Sequence, residues 1–434
     1  MAATETETST TQTPISPTKQ THHHSLSHSV SLRLPFSQAS AFNLEKAVCS
    51  HGLFMMAPNR WDPLSRTFHR PLRLSSSPST CLPVSISQSP SSDVLEICVS
   101  GTDCLCTQDQ EAILDQVRRM LRISEGDDRV VWEFHKLHGM AKKKGFGRIF
   151  RSPSLFEDMV KCMLLCNCTF SRTLAMAKAL CALQLELKAG NFSEDFTPKT
   201  PHTKELKRKR AKQKRKSKAA TKLETKFEKC IQEPTDDLRE MTNESNDHDD
   251  EVEIGDFPTP DELAALDAEY LGVRCKLGYR AQRIVSLAQS VVRGDVQVNK
   301  MEELCNDSNM LSFYDTLYAQ LLGIPGFGPF TCANVLMCLG YFHKIPADTE
   351  TIRHLKSVHK INCAITTIEK EIVAIYGKYA PFQFLAYWFE LWEYYEETFG
   401  KTSDMAPSDY MRITATNMKT TKKKRKQISK LFLR

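Results

Sequence analysis

The residues best suited to chemistry are one aspartate and two glycines in the stretch 317–356. Asp348, two residues after Pro346, stands where a helix is expected to begin, and the positive end of a helix dipole favours an ionised carboxylate. Gly326 and Gly328 can take positive φ and let another backbone come close. Free amides beside a helix N-terminus can bind a phosphate, and a fixed carboxylate can stabilise a developing positive charge. The pattern therefore indicates either a reaction site or a simple N-cap at Asp348.

Two helices and a short connection must position these residues. Apolar residues at helical spacing stop at Gly323, and a second apolar stripe begins after Pro329. Proline fits the first turn of a helix because its missing N–H has no intrahelical partner there. The sequence therefore predicts a helix-hairpin-helix unit with the hairpin at 323–328, followed by a third helix that begins at Asp348.

This arrangement resembles the helix-hairpin-helix and Gly/Pro-Asp signature of the DNA glycosylase superfamily, which includes 8-oxoguanine DNA glycosylase, endonuclease III and 3-methyladenine DNA glycosylase II. The resemblance implies that Gly326 and Gly328 let the hairpin grip a backbone phosphate, and that Asp348 acts in breaking the N-glycosidic bond of a flipped, damaged base. It covers most of residues 145–400. The partner that it implies is double-stranded DNA containing a damaged base.

Two further stretches match the family in its order. Tyr279-Arg280, in KLGYRAQR, matches the pair that 8-oxoguanine glycosylases insert beside the gap left by the flipped base. Asn167 and Arg172, in CNCTFSR, match the Asn that fills this gap and a second Arg on the base left behind. Trp388 matches a pocket aromatic that stacks on the flipped base. The plainer alternatives are core aromatics for Tyr279 and Trp388, a solvated Arg280 and a helix C-cap for Asn167.

The chain departs from the family at the position where members that also cut the DNA backbone carry a lysine. Residues 328–332 read Gly-Pro-Phe-Thr-Cys and hold no amine that could form a Schiff base with the sugar. Lys344 is near in sequence, in a position that the family does not use. Water is therefore the expected nucleophile, with Asp348 orienting it. The prediction is a monofunctional glycosylase for an oxidised or alkylated purine. The alternatives are an inactive DNA-binding or scaffold protein and a helical protein-interaction domain.

Fifteen cysteines are scattered along the chain. Their spacing favours reduced, buried thiols in an intracellular protein over a disulfide framework. Cys162, Cys166 and Cys168 could be metal ligands, but no second cluster of suitable spacing accompanies them. Some related glycosylases hold a four-cysteine iron–sulfur cluster after the catalytic Asp, and here only Cys363 follows Asp348. We therefore expect no iron–sulfur cluster, no other cofactor and no metal.

The net charge of +6 is carried by local blocks. Residues 204–222 carry +10 and residues 233–256 carry −10, while the last sixteen residues hold eight basic side chains and no acidic one. DNA binding is therefore argued from motifs and not from bulk charge. The basic runs at 207–216 and 422–426 predict residence in the nucleus. No apolar run approaches the roughly 20 residues that span a bilayer, so we expect a soluble protein with no membrane partner.

These patterns predict an α+β fold that is mainly α-helical. A helix-hairpin-helix glycosylase bundle should follow a small N-terminal antiparallel β-sheet domain, for which the alternating runs at 84–88 and 94–101 are the strand signals. We expect a monomer. The predicted divisions are a disordered tail at 1–41, the β domain at 42–105, helices at 106–189, a disordered basic and acidic insertion at 190–256, the helical part with the hairpin and Asp348 at 257–400, and a basic tail at 401–434.

Overall fold

The computed structural model describes residues 28–37, 42–90, 92–190, 255–305, 310–414 and Asn417. Nearly all of the predicted insertion at 190–256 lies outside these ranges, as do both basic runs. Within the described ranges, none of the helices combines the length and the apolar character that a membrane span requires. The cysteines of these ranges are free thiols, as the sequence predicts, but the prediction that they are buried is wrong for Cys104 and Cys106, which are exposed.

Five antiparallel strands form one sheet. They are β1 (Ser29–Pro35), β2 (Arg60–Asp62), β3 (Thr67–Arg73), β4 (Cys81–Gln88) and β5 (Val94–Ser100), in the order β1-β5-β4-β3-β2. Alternate residues of the central strands are buried, including Phe68, Ile86 and Ile97, as expected for a sheet with one face on a core. The predicted antiparallel sheet is confirmed.

The prediction of disorder over 1–41 is wrong for residues 29–35. This segment is the edge strand β1, and it pairs with β5 so that Leu32 lies opposite Ile97 and Leu34 opposite Leu95. Leu32 and Leu34 are buried. The alternation of apolar side chains with Ser and Arg is a strand pattern, which the Ser-rich composition of the surrounding tail obscures.

Helices, short helical turns and the loops between them make up the rest of the described chain. The α-helices are α1 (Leu44–Val48), α2 (Thr107–Leu121), α3 (Glu125–Leu137), α4 (Gly139–Lys144), α5 (Leu155–Leu165), α6 (Phe170–Lys188), α7 (Pro260–Ala264), α8 (Ala268–Arg274), α9 (Arg280–Val292), α10 (Val298–Cys305), α11 (Tyr314–Leu322), α12 (Pro329–Leu339), α13 (Thr349–His354), α14 (Ile368–Tyr376) and α15 (Gln383–Phe399). Short 3₁₀ turns occupy Gly52–Met55, Met310–Phe313, Gly377–Tyr379, Thr402–Asp404 and Pro407–Arg412, and a π-helical turn occupies Leu355–His359.

Helix α5 is the centre of the bundle. Every residue from Leu155 to Leu164 is buried, so this helix is enclosed on all sides. Its charged residues are paired inside the core, since Arg70 of β3 contacts both Glu157 at 3.1 Å and Asp256 at 3.1 Å. Breaking such a buried pair typically costs about 3–5 kcal/mol, because the remaining charge stays desolvated. Asp256 therefore belongs to the folded core, and the predicted insertion must end before it.

The predicted tail at 401–434 is also partly folded. The carbonyl of Ser403 accepts a hydrogen bond from Trp61 Nε1 at 2.9 Å, and the buried ring of Tyr410 meets Phe54 edge-on at 5.5 Å. These contacts join the segment after α15 to the N-terminal region. The buried side chains of the sheet and of the helices form one continuous hydrophobic core.

Candidate functional site

The predicted hairpin lies between α11 and α12. Phe327 N–H donates to the carbonyl of Ile324 at 3.0 Å and closes the turn, while both side chains are buried and anchor it. Gly326 has φ +95°, a conformation that L side chains rarely adopt, and a Cβ there would stand 2.5 Å from Cδ of Arg283. The prediction of positive φ is confirmed at Gly326, where both backbone and space require glycine.

Gly328 has a different backbone conformation from Gly326. Its φ of −120° and ψ of −179° are extended, and it is the N-cap of α12 without a side-chain cap. Gly328 therefore does not use the positive φ that glycine allows. A Cβ here would meet nothing within 4 Å, so the turn itself does not require glycine. Gly328 borders open space beside the first amides of α12, which have no intrahelical acceptors, and this is the geometry that can receive an anion.

Asp348 is the N-cap of α13, as the sequence predicts. Its Oδ1 accepts hydrogen bonds from the Thr351 N–H at 2.9 Å and from the Thr351 hydroxyl at 3.1 Å. Both of these bonds fall on Oδ1, and the backbone N–H of Glu350 also hydrogen-bonds the carboxylate. Burial raises the pKa of Asp348 above its usual value, although the Thr351 N–H opposes the change; the negative charge of Glu350 raises it further. The carboxylate is thus held in one geometry and is poorly solvated.

Two of the predicted DNA-binding residues, Asn167 and Tyr279, are exposed, and Tyr279 contacts the residue that precedes Asn167. Asn167 follows the end of α5 with φ +47° and is exposed. Tyr279 stands just before α9, its side chain is 48% exposed, and its hydroxyl donates to the carbonyl of Cys166 at 3.4 Å. The alternative of a core aromatic is therefore wrong for Tyr279. Asn167 does take the left-handed conformation of a residue that follows a helix, and this leaves its carboxamide at the surface.

Arg280 does not have the exposed side chain that contact with a DNA base would require. Its side chain is only 3% exposed, and its guanidinium donates to the carbonyls of Cys166 and Asn167. Its Nε has no partner among the described residues. Arg280 therefore holds the turn that presents Asn167, and in this conformation it offers no free donor fork to DNA.

Sequence reasoning missed Arg283, one helical turn after Tyr279 on α9. Its guanidinium lies 4.7 Å from the centre of the Tyr279 ring, a cation–π contact, and its stem packs against Gly326. Arg283 thus connects the exposed tyrosine to the hairpin. The i, i+4 spacing in YRAQR was the available signal. Arg172 is an exposed residue in the first turn of α6.

The described segments therefore bring the Asn167 turn, Tyr279 and the hairpin to one region. A second link joins Cys166 Sγ to Thr331 Oγ1 of α12 at 3.1 Å. Sequence order alone does not require this proximity, because α5, α9 and α12 are far apart in the chain. Their packing against one another creates the site.

Comparison with known proteins places the fold. No protein-family model matches the chain, and no curated protein matches it. The 3-methyladenine DNA glycosylase from Archaeoglobus fulgidus is similar in structure, with a TM-score of 0.51 and 15% identity over 84% of this chain and 99% of that one. The chain has the helix-hairpin-helix glycosylase fold. The predicted α+β class, mainly helical with a small N-terminal sheet, is thereby confirmed.

Two weaker similarities accompany this one. The 8-oxoguanine glycosylase/lyase of Clostridium acetobutylicum, in its apo form, has a TM-score of 0.47 and 12% identity over 82% of this chain and 96% of that chain. A structure of MBOgg1 in complex with a low-affinity DNA ligand has a TM-score of 0.49 and 16% identity over 85% of this chain and 96% of that chain.

Within the glycosylase fold, Trp388 of α15 is a packing residue. Its ring centre lies 4.3 Å from that of His51, and it stacks between Phe384 and Trp392 at 5.8 Å from each. Its Nε1–H donates to the carbonyl of Ser50 at 2.8 Å. These contacts use the ring and its only donor, so the geometry favours the core alternative over stacking on a flipped base.

The start of α12 offers no amine. Thr331 and Cys332 are both buried, and burial raises the pKa of the Cys332 thiol to about 11, which keeps it neutral and a poor nucleophile. Lys344 points to another partner, since its Nζ lies 2.8 Å from Glu369 Oε1. Two surface cavities, of about 620 and 710 Å³, lie on the N-terminal side, and neither includes Asp348 or the hairpin.

Proposed function

We propose that the chain is a DNA N-glycosylase that flips a damaged purine, oxidised or alkylated, out of duplex DNA and hydrolyses its N-glycosidic bond. The observation that carries the proposal is Asp348. In a glycosylase fold, this carboxylate caps a helix, is held by hydrogen bonds from Thr351 and is desolvated enough for its pKa to rise.

The hairpin positions the duplex. Gly328 borders open space at the start of α12, and a phosphate oxygen bound to the amides there would add a charge-assisted hydrogen bond that is independent of base sequence. Arg283, exposed beside Gly326, contributes a positive charge to the same surface. The hairpin therefore fixes the position of the protein along the DNA backbone. Recognition of the lesion must come from other residues.

Tyr279 and Asn167 support the flipping step. Extruding a base costs a few kcal/mol of lost stacking and pairing, and side chains that enter the gap offset part of this cost. An exposed phenol ring that is stiffened by Arg283 can act as a wedge, and an exposed carboxamide can hydrogen-bond to the base left behind. Arg280 acts indirectly in this proposal, because it holds the turn that carries Asn167.

The bond-breaking step uses Asp348 as an anion. As the bond between C1′ and the base nitrogen breaks, its electron pair leaves with the base and positive charge develops on the sugar. A preorganised carboxylate stabilises that charge. Water then adds its oxygen to C1′, and its proton passes to Asp348 or to the departing base. Because α12 begins without a lysine, the product is an intact strand with an abasic site.

The experiment is an excision assay of the full chain on duplexes that each carry one oxidised or alkylated purine. Release of the free base with an abasic strand left uncut until alkali is added supports the proposal. Trapping of the protein on DNA by borohydride would contradict the monofunctional mechanism, since it requires an amine nucleophile. Absence of excision on every duplex, with binding retained, would support the second candidate.

That second candidate is an inactive DNA-binding or scaffold protein. It is favoured by the missing lysine and by Trp388, which is packed among other aromatic rings. Against it stands Asp348, because a protein that only binds DNA gains nothing from a carboxylate that faces the phosphate backbone, whose negative charge would weaken binding. We further propose that the protein acts as a monomer in the nucleus, directed by the basic runs at 207–216 and 422–426.

A further inference from the structure

A cluster of two histidines and one glutamate lies at the C-terminal end of α13, the helix whose N-terminal end Asp348 caps. His354 is the last residue of this helix, and His359 ends the π-helical turn that follows it. In an α-helix, residues five apart point about 140° away from each other. The wider π turn, which often marks functional sites, brings the two imidazoles to the same side, with ring centres 6.0 Å apart.

Glu390 of α15 completes the cluster. Its Oε1 lies 2.8 Å from His359 Nε2, and its Oε2 lies 3.8 Å from His354 Nε2. One donor atom from each of the three residues can be chosen so that all lie within 4.8 Å of one another. Two imidazoles and a carboxylate at this separation can be joined by one ion with small side-chain adjustments.

His354 supplies the independent observation. Its side chain is fully buried, and neither of its ring nitrogens has a hydrogen-bond partner among the described residues. A buried polar group without a partner costs about 1–3 kcal/mol, and such groups are uncommon in folded proteins. Nε2 of His354 lies 3.8 Å from Glu390 Oε2, which is too far for a hydrogen bond, and an ion placed between these two atoms would give this nitrogen a partner.

We propose that His354, His359 and Glu390 bind a divalent zinc ion. Two imidazole nitrogens and one carboxylate oxygen are a known three-residue zinc set, and His-x₄-His falls within the spacing typical of zinc ligands. Tyr376 borders the fourth position, since its hydroxyl lies 2.7 Å from Glu390 Oε2 and 3.2 Å from His359 Nε2. A water molecule or the Tyr376 oxygen completes a tetrahedral site.

The ion would be structural and would support the reactive helix. It fastens the C-terminal end of α13 to α15, and Asp348 caps the N-terminal end of the same helix. Midway between them, the Thr351 hydroxyl lies 3.1 Å from the Tyr387 hydroxyl of α15. Zinc therefore fixes the orientation of the helix that begins at Asp348, and the inference does not depend on the reaction that Asp348 performs.

The sequence expectation of no metal rested on the cysteines. The ligands proposed here are histidines and a glutamate, and Glu390 is remote from the His pair in the chain. Only the π turn and the packing of α13 on α15 bring them together.

The test measures metal binding by the full chain in which His22, His23 and His24 are replaced by alanine, because that run can also bind metals. After dialysis against zinc and removal of the excess, we expect about one zinc per chain. Cobalt in its place should give the intense visible bands of tetrahedral nitrogen and oxygen coordination, without the near-ultraviolet charge-transfer band of a thiolate ligand.

Three variants localise the ion. His359→Gln and Glu390→Gln alter half-buried ligands and should each lower zinc affinity by about 10²-fold or more, as should His354→Gln. His343→Gln is the matched control, because this half-buried histidine also has a ring nitrogen without a partner but lies outside the cluster. Circular dichroism checks that each variant is folded.

The proposal is overturned if the parent chain binds no zinc, if the cobalt complex shows thiolate coordination, or if folded His359→Gln and Glu390→Gln proteins retain full affinity. Loss of binding in the ligand variants, with His343→Gln unchanged, supports it. Because zinc content is measured directly, an inactive glycosylase would not affect the result.

Discussion

The side chain of Arg283 occupies the space beside Gly326 in which a Cβ would stand, with its Cδ 2.5 Å from that position. The same arginine lies over the ring of Tyr279. One side chain therefore couples the hairpin that should bind a phosphate to the tyrosine that should enter the duplex. The packing explains why the hairpin needs glycine at 326 more strictly than at 328.

Gly326→Ala should strain the hairpin and displace Arg283. Positive φ in a non-glycine residue typically costs about 1–3 kcal/mol, so we expect a lower melting temperature and weaker binding to every duplex. Gly377→Ala is the control, because Gly377 has φ −57° and its nearest neighbour to a new Cβ is 3.7 Å away. Equal stability of the two variants would contradict the role assigned to Gly326.

Gly328→Leu completes this comparison. Because Gly328 is extended and open, the melting temperature should stay within about a degree or two of the parent, as for a surface substitution. Binding should nevertheless weaken equally for intact and lesion-bearing duplexes, since a phosphate contact reads no sequence. A selective loss on lesion-bearing duplex would assign Gly328 to lesion recognition instead.

Variants of Tyr279 and of Arg280 should have different effects, one on excision of the base and the other on the stability of the fold. Tyr279→Ala removes an exposed ring and should reduce excision with little change in stability. Arg280→Ala leaves the carbonyls of Cys166 and Asn167 without their buried donor, so it should destabilise the chain by about 1–3 kcal/mol. Thermal unfolding and single-turnover excision measure both. If Arg280→Ala kept its stability but lost lesion binding, Arg280 would be a direct reader of DNA.

The pH dependence of stability should reveal the surroundings of Asp348. Burial raises its pKa in the folded state above the ordinary value of about 3.9, so the native fold favours the protonated acid. The resulting stabilisation is fully present below the unfolded pKa and is lost as pH rises through the folded value. Asp348→Asn, which cannot ionise, should therefore gain stability relative to the parent above about pH 4.

Asp62→Asn should change the pH dependence of stability in the opposite direction. Hydrogen bonds from Ser65 and Leu64 lower the pKa of Asp62, so its contribution is present above the unfolded pKa and is lost as pH falls through the folded value. That variant should lose stability relative to the parent as pH rises. Melting temperatures across pH 3–8 would test both signs, and parallel curves for Asp348→Asn and the parent would contradict the assignment.

Nuclear residence is a separate prediction. Deleting the basic runs 207–216 and 422–426 together should release a tagged chain into the cytoplasm, because importers recognise accessible clusters of Lys and Arg. Deleting the acidic block 236–253 is the control and should leave the distribution unchanged. Fluorescence microscopy measures the distribution of the tagged chain between nucleus and cytoplasm. An unchanged nuclear signal after removal of both basic runs would refute the prediction.

Local patterns were sufficient for part of this structure. The apolar stripe that ends at Gly323, the proline at 329 and the cap at Asp348 are short-range signals, and each predicted its element correctly. They work because the backbone chemistry of glycine, proline and helix caps acts over a few residues.

Tertiary packing decided the rest. Arg280 is polar and adjacent to an exposed tyrosine, and nothing local indicates that it is buried against Cys166. Asp256 lies in an acidic block, yet Arg70 draws it into the core. The approach of His359 to His354 and Glu390 depends on a π turn that propensity does not predict. Each of these positions is set by a partner that is distant in sequence.

The most direct measurement of the central claim is the single-turnover rate of base excision by Asp348→Asn. Asn caps a helix about as well as Asp, so α13 should persist while the negative charge is lost. The account predicts a rate lower by about 10²-fold or more with duplex binding nearly unchanged. A variant that excises the base as fast as the parent would show that Asp348 is only an N-cap.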